Sequence, residues 1–529
     1  MTRDDQLFSG RTLLQIALGV VVFIVLSVLL LPLTQLIAYT LFVEHPEIWQ
    51  YGIISTVIVG LAVKAAPDQM KGFVAMAGLV FIMISMLLVG PFVASINTQT
   101  DLANDIESDV EGSDTTIPES SNDSVRILPR KVADEYARST LQTQKYGVGE
   151  SDPVYHNGDY QWGYPLEPDR VGVTFFGKQD GAVYVNMEQS SQNVTTVREK
   201  RFDCGVGMLW FDSYNYKTTV NRLDVDRRQN SRFVFQGDDG NYQIAQSYIT
   251  HDWRFSLTPL PTVYAVPQYG GTQVADTNCN IESVSANEVS DNPHLDKQST
   301  YPYDLAMYRV KSMQLTEGVF NKWFVGENVP EIAEVPGQGN SQPFTVPTED
   351  GLKMYVAAEP SGSGQGIYQI YIFDAQTGDI ERVEFDESRL GPQRAADKLR
   401  TERPNVNWKS GESGTTEISE PIPVTKNGTL YWHVKAVPTD SIGISFSAFV
   451  NTETGAVTTV KNDEEIYAFV SNGEIRTMDG PSDNTTTNNS TSISTTTVTV
   501  AVVNENGTVT RTEEVSVPKN GSVEVEVED

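Results

Sequence analysis

Few side chains in this 529-residue sequence are spaced for chemistry. Its five histidines (His45, His156, His251, His294 and His433) are isolated, and none lies in an H-E-x-x-H pattern, which sets two imidazoles on one helical face around zinc. His251-Asp252-Trp253 has the letters of a base with its orienting acid, but reads better as a polar turn beside a buried tryptophan. No G-x-S-x-G elbow occurs, and neither cysteine has a neighbouring histidine. Gly362-Ser363-Gly364-Gln365-Gly366 has the glycines of a phosphate loop, yet it falls between two strand patterns and no Lys-Ser/Thr follows. It reads as a flexible loop. The acid pairs Asp224/Asp226 and Asp238/Asp239 do not fit the spacing of a calcium loop and read as solvated surface. No catalytic residue, cofactor or metal site is indicated, and an enzyme is not expected.

Other residues point to location instead. Cys204 and Cys279 are the only cysteines. Paired, they would constrain the unfolded chain by roughly 4–5 kcal/mol in the loop-entropy model; two buried thiols are the alternative. Asn122, Asn193, Asn427, Asn484, Asn488, Asn489, Asn506 and Asn520 head N-x-S/T sequons, three of them crowded in a Ser/Thr/Asn run that reads as a glycosylated stalk. Tyr160, Trp162, Tyr164, Trp210, Phe211, Tyr214 and Tyr216 form a surplus of aromatics. They either pack a core or offer a face for a partner or glycan, for which Tyr and Trp are low-entropy anchors.

The element that places all of these is an apolar block over residues 13–96. Residues 13–42 carry no charge and exceed the roughly 20 needed to span a bilayer. Pro32 kinks or ends that run, leaving 33–42 tilted or near the interface. Residues 51–63 and 73–96 supply two more spans. Arg3 and Arg11 precede the first span and Lys64 and Lys71 flank the second joint, whereas Glu44-His45-Pro46-Glu47 has no Lys or Arg. The positive-inside rule then puts the N-terminus inside and the rest of the chain outside. A signal peptide fits less well, because the run exceeds a 7–15-residue apolar region and two more spans come after it. No charge lies well inside a span, which argues against an ion pathway. The block is expected to be an anchor.

Charge separates the block from the rest of the chain. The sequence holds 38 basic and 69 acidic side chains; the first 96 residues hold 4 and 5 of them, so an excess of 30 negative charges lies beyond. Such a surface repels nucleic acid phosphates. Spread through the chain rather than gathered in a tail, the acid resembles that of proteins from extremely halophilic archaea; an acidic protein of an ordinary organism is the alternative. In molar salt the Debye length falls to about 3 Å, screening the self-repulsion.

Beyond the anchor, residues 97–125 carry eight acids and read as an extended linker. A helix begins after Pro129, with Val132, Ala133, Tyr136, Ala137 and Leu141 on one face. Strands are expected at 171–176, 182–187, 233–235, 242–249 and 262–266, with 222–232 a basic loop and a second helix at 303–315. Further on come strands at 353–359, 367–373 and 381–385, a helix at 392–400, and period-two alternation around 430–436 and 444–450, the mark of antiparallel strands with one buried face. Asp374-Ala375-Gln376-Thr377-Gly378 and Asn451-Thr452-Glu453-Thr454-Gly455 are turns in which glycine supplies positive φ. This helix-then-hairpin pattern over 345–470, with a weaker echo at 129–187, resembles the PepSY-like and cystatin-like α+β modules of cell-surface proteins. The resemblance implies a binding or regulatory module, often beside peptidases, rather than an active site.

The expected fold is therefore membrane α, with three N-terminal transmembrane helices, plus an α+β, β-rich ectodomain of antiparallel sheets with a few helices. Its parts are an anchor at 1–96, an acidic linker at 97–125, a first β-rich region at 126–340, a PepSY-like region at 341–478, a stalk at 479–497 and a β tail at 498–529. The expected role is a non-enzymatic surface or envelope protein of a halophilic archaeal cell or an associated virus or plasmid. Its partners would be the lipid bilayer and other proteins at the cell or particle surface, including further copies of itself, and not nucleic acid. Regulation of a membrane or secreted peptidase is the alternative.

Overall fold

The computed structural model describes the chain apart from residues 1–9, 111–115, 121–124, 142–144, 171, 173, 175–176, 327–328, 338–339, 363–365, 410–412, 473–494, 504–508 and 519–529. It forms two units, Met1–Arg476 and Thr477–Asp529.

The apolar block is helical, which pairs most backbone amides within their own segments. Helix α1 (Gly10–Leu29) turns through 91° into α2 (Leu31–Tyr39) and a π turn, Thr40–Glu44. Pro32 sits in the first turn of α2, where its missing amide costs nothing. Helix α3 (Pro46–Ala65) returns, and a short joint leads into α4 (Lys71–Ile84), a π turn (Ser85–Val89) and α5 (Gly90–Val110). By length and composition α3 and the continuous Asp68–Val110 run are each able to cross a membrane, and the bent pair is a third candidate. That run has 43 residues, about 65 Å. The π turn lies just ahead of Pro91, whose ring would press on the Leu87 carbonyl in an unbroken α-helix.

Residues 97–110 are the C-terminal two thirds of α5, not an extended linker. Leu102, Ala103, Ile106 and Val110 are buried against the sheets. The acids between them meet arginines: Asp101 with Arg254 at 3.0 Å, Asp109 with Arg309 at 2.8 Å and Glu107 with Arg382 at 2.5 Å. Charges that looked self-repelling are neutralised by two distant strands and a helix. Residues 116–120 also lie on the fold, the Glu119 carboxylate accepting from the Asn427 and Gly428 amides.

Four helix-first antiparallel units make up the rest of this body. Helix α6 (Arg130–Thr140) precedes β1 (Tyr146–Val148), β2 (Asp152–His156), β3 (Asp159–Pro168), β4 (Asp180–Asn186) and β5 (Val194–Val197). Here β1 and β2 share one edge of β3, and β4 then β5 follow on the other. Helix α7 (Tyr214–Asn221) precedes the meander β6 (Asp226–Gln236), β7 (Tyr242–Ser256), β8 (Thr262–Ala275) and β9 (Ile281–Ser285). Helix α8 (Tyr303–Ser312) precedes β10 (Pro330–Ile332), β11 (Phe344–Thr348), β12 (Gly351–Pro360), β13 (Gly366–Asp374) and β14 (Ile380–Leu390), wired like the first unit, with β10 and β11 sharing an edge of β12. Helix α9 (Pro392–Glu402) precedes β15 (Thr416–Lys426), β16 (Thr429–Pro438), β17 (Phe446–Asn451) and β18 (Val457–Val460), packing on this meander, and α10 (Asp463–Asn472) closes the body.

The packing does not part at residue 340: one core joins Ala103, Val132, Trp162, Leu305, Met354, Phe373 and Val437. Both Thr-Gly turns form. Asp374 Oδ1 accepts the Gln376 and Thr377 amides, Asn451 Oδ1 accepts those of Glu453 and Thr454, and Gly378 and Gly455 have φ of 81° and 70°. The basic stretch 222–232, expected as a loop, is largely β6, because Arg227 is held by the Thr218 carbonyl and the Gln273 side chain. The strand expected at 171–176 lies largely outside the described residues, and Gly172 and Thr174 within it are helical.

The second unit contains a hairpin of β19 (Thr495–Val503) and β20 (Val509–Pro518). Of the expected stalk, 479–494 lie outside the described residues, as do 504–508 and 519–529 of the expected β tail.

Candidate functional site

Two polar centres stand out inside the larger body. The first is a buried charge cluster where the segment before α6 threads between sheets. Residues 125–128 enter with Val125, Ile127 and Leu128 buried, and the Ile127 and Leu128 amides both donate to the Met187 carbonyl. That fixes Arg126, whose guanidinium lies 4.5 Å above the Trp162 ring, donates to Thr345 at 2.9 Å (carbonyl) and 3.1 Å (hydroxyl), and pairs with Glu420. Glu420 sits at a bulge in β15, between Ser419 and Ile422, with φ of 34°. Bulges re-aim side chains, and this one turns a carboxylate inward. The same carboxylate accepts the Arg130 amide, and the Glu420 carbonyl accepts Lys435 Nζ at 3.3 Å. Burial holds the Lys435 amine and the His433 imidazole well below their usual ranges.

Beside the cluster is a cavity of about 310 Å³ that reaches Arg130, Asp152, Tyr303 and Phe344. Burial pushes the Asp152 carboxyl well above the usual range. Arg130 Nε donates to Ser151, and Ser151 and Tyr164 both donate to Asp134. No serine or cysteine in this group faces a histidine. The polar groups tie α6, β11, β15 and β16 together and act as a lock.

The second centre lies where the apolar helices meet the sheets. The Tyr39 hydroxyl is 3.0 Å from His251 Nδ1, Gln35 Nε2 donates to the Leu223 and Val225 carbonyls, and Trp253 Nε1 donates to the Val43 carbonyl. Gln50 clasps the β7–β8 hairpin, accepting from the Val263 amide and donating to the Pro261 carbonyl, while the Tyr51 hydroxyl meets that of Thr262 at 2.9 Å. His45 Nδ1 is 2.9 Å from the buried Glu47 carboxylate. Of these groups, His45, Glu47 and His251 border a cavity of about 450 Å³ that also reaches Thr98, Asp304 and Tyr308. Among the described residues no group of three or more His, Cys, Asp or Glu side chains is placed to hold a metal ion.

The residues singled out by sequence fall in several places. Cys204 and Cys279 form a disulfide with Cα atoms 5.7 Å apart. The aromatics divide. Tyr160, Trp162, Tyr164 and Tyr214 are core side chains and offer no face, Tyr216 is half-buried against Phe211, and Trp210 is exposed. Asn193 and Asn427 are exposed, the latter in the β15–β16 turn with φ of 51°. Asn122, Asn484, Asn488, Asn489, Asn506 and Asn520 lie outside the described residues. His251-Asp252-Trp253 is not a turn with a buried tryptophan: it lies within β7, and Trp253 is exposed. Sequence reading missed Gln35 and Gln50 as contacts; a glutamine in or beside an apolar run was the available signal. Glu420 and Arg126, 294 positions apart, gave none.

Family models, curated proteins and solved structures were compared with the chain, and none of the three returns a match.

The buried histidines have a measurable consequence. His156 stacks on Tyr184 at 3.9 Å, its Nε2 is 3.0 Å from the Tyr242 hydroxyl, and burial lowers its pKa to about 4. The unfolded chain, with a value near 6.5, binds the proton first, so stability present above 6.5 is lost as pH falls toward 4. At pH 5 this loss is about 2 kcal/mol from His156, and His433 shifts in the same direction. In thermal melts of the detergent-solubilised chain at constant salt, the change in Tm from pH 7.5 to pH 5 should be more negative for wild type than for His156→Gln, a comparison in which the opposing pull of the Asp152 carboxyl cancels.

Proposed function

We propose that this chain is a non-enzymatic, membrane-anchored surface or envelope protein that displays an acidic ectodomain for structural or partner-binding roles, in a halophilic archaeal cell or an associated virus or plasmid. The observation that carries the reading is the unbroken run Asp68–Val110: one helix is apolar along its first half and is core of the ectodomain along its second. Such a join suits rigid presentation rather than transport. Charge supports the orientation, with Lys64 and Lys71 at the joint between α3 and α4, which is taken as internal, and no Lys or Arg at residues 44–47 beside the sheets.

The alternative, a PepSY-like regulator of a membrane or secreted peptidase, draws on the α9-first meander at 392–460. Recovery of a peptidase with the purified chain would favour it.

Orientation can be read with single cysteines, because both native ones are bonded to each other. Glu464→Cys, exposed on α10, should react with a membrane-impermeant maleimide on intact cells, and Gln69→Cys, exposed between α3 and α4, only after permeabilisation. The opposite pattern would overturn the topology.

A further inference from the structure

Three exposed apolar groups belong to no core, and all three adjoin the top of the apolar helices. On the β7–β8 hairpin Trp253, Phe255 and Leu257 alternate along one side, with Leu257 69 % exposed. Between Trp253 and Phe255, Arg254 faces the opposite way, toward Asp101 of α5. The hairpin tip descends: Pro261, Thr262 and Val263 are bonded to Gln50 and Tyr51, which lie one turn inside α3 rather than above it. The second group is the helical turns Gly318–Phe320 and Asn321–Val325, where Phe324 is 74 % exposed and Trp323 stacks on Phe92 of α5 at 5.7 Å. Phe92 stands two residues beyond Gly90, which packs against Tyr51, so this group shares the level of the hairpin tip. The third is Leu209, Trp210 and Phe211 with Leu223, around α7, which packs on α2. Gln35 of α2 fixes it through the Leu223 carbonyl.

Charge sets these segments apart from the rest of the molecule. Residues 209–223, 253–263 and 318–325 together contain one acid, Asp212, and four bases, Lys217, Arg222, Arg254 and Lys322, in a chain with a net charge of -31. Acid is sparse within these segments, although Glu44 and Glu47 of the helix joint and Asp101, Asp224 and Asp252 lie beside them. Arg222 and Arg254 are held by Asp224 and Asp101, but Lys217 and Lys322 beside the aromatics and leucines suit the boundary between headgroups and acyl chains, where Trp and Phe enter and Lys reaches the phosphates.

We infer that these three segments form a collar that is immersed in the outer interface of the same bilayer that holds the anchor, so that the ectodomain lies on the lipid surface rather than standing off it. The inference rests on the membrane-anchored reading above. The bilayer is favoured over a second copy as occupant because the groups surround the helices at one depth, fixed by hydrogen bonds to α2 and α3 and by a ring stack on α5.

The test uses the full chain in nanodiscs, with nitroxides at Leu257→Cys and Phe324→Cys read by collision with oxygen, which prefers lipid, and with a nickel chelate, which stays in water. Phe81→Cys on α4 is the lipid control and Glu464→Cys the water control. An oxygen-to-nickel ratio at both collar sites several-fold above that at Glu464→Cys is expected. Collar sites that match Glu464→Cys while Phe81→Cys reports lipid would overturn the collar and leave the anchor standing. Collar sites shielded from both reagents, with spin–spin broadening, would overturn it in favour of a second copy. A nickel-accessible Phe81→Cys would sink the anchored reading itself.

Discussion

Glu420→Ala should destabilise the folded chain by about 3–5 kcal/mol, the range for removing one partner of a buried ion pair. The loss is large because of what the carboxylate leaves behind. Arg126 is buried over Trp162, and Lys435 is fully buried with its amine on the Glu420 carbonyl. Without the carboxylate, a guanidinium is stranded where water cannot repay its hydration. Glu420→Gln retains acceptor geometry without charge and should fall between wild type and Ala. Pairing Glu420→Ala with Arg126→Met should recover part of the loss, since an apolar replacement of both partners removes the stranded charge. Salt discriminates further. The pair is buried and little screened, so its effect should persist in molar salt, whereas disrupting the more open Arg254–Asp101 contact should matter less as salt rises. Chemical denaturation at two salt concentrations measures both, and a Glu420→Ala cost under 1 kcal/mol would mean that the pair locks nothing.

Loss of the Cys204–Cys279 disulfide is the other large effect, about 4 kcal/mol for a 75-residue separation in the loop-entropy model. The bond ties the loop before α7 to the β8–β9 turn, where the Asp203 amide also donates to the Thr277 carbonyl at 2.9 Å. Cys204 is buried among Phe202, Tyr214, Phe233 and Ile244. A Cys204→Ser, Cys279→Ser double variant should melt well below wild type and be indifferent to reductant. Wild type should fall to nearly the same Tm once reduced. A wild-type melt that reductant leaves unchanged would mean that the link adds no stability.

The features legible in the sequence were local or periodic. The turns after Asp374 and Asn451 carry their own instructions: an Asx side chain that caps two amides and a glycine two residues before the returning strand. The alternation of Leu430, Trp432, Val434 and Ala436 announces β16 in the same way. Residues 97–110 failed for the opposite reason. Their apolar positions fit a helix, but four acids in fourteen residues suggested repulsion, and the arginines that cancel it arrive from β7, α8 and β14. The aromatic surplus misled similarly, since composition cannot tell Trp162 beneath Arg126 from Trp210 in the open. The charge lock was illegible because its geometry depends on a bulge in a strand nearly 300 residues from the arginine.

The continuity of α4 and α5 also settles where mechanical play can reside. In the membrane-anchored arrangement proposed above, a helix whose far end is locked into a sheet core cannot tilt or rotate to suit a change in membrane thickness without carrying the sheets with it. Helix α3 is clamped as well, through Gln50 and Tyr51 on the hairpin. Compliance then belongs to the elbow at Leu30, where α1 meets α2 at 91° and can swing while the other two helices stand as fixed posts.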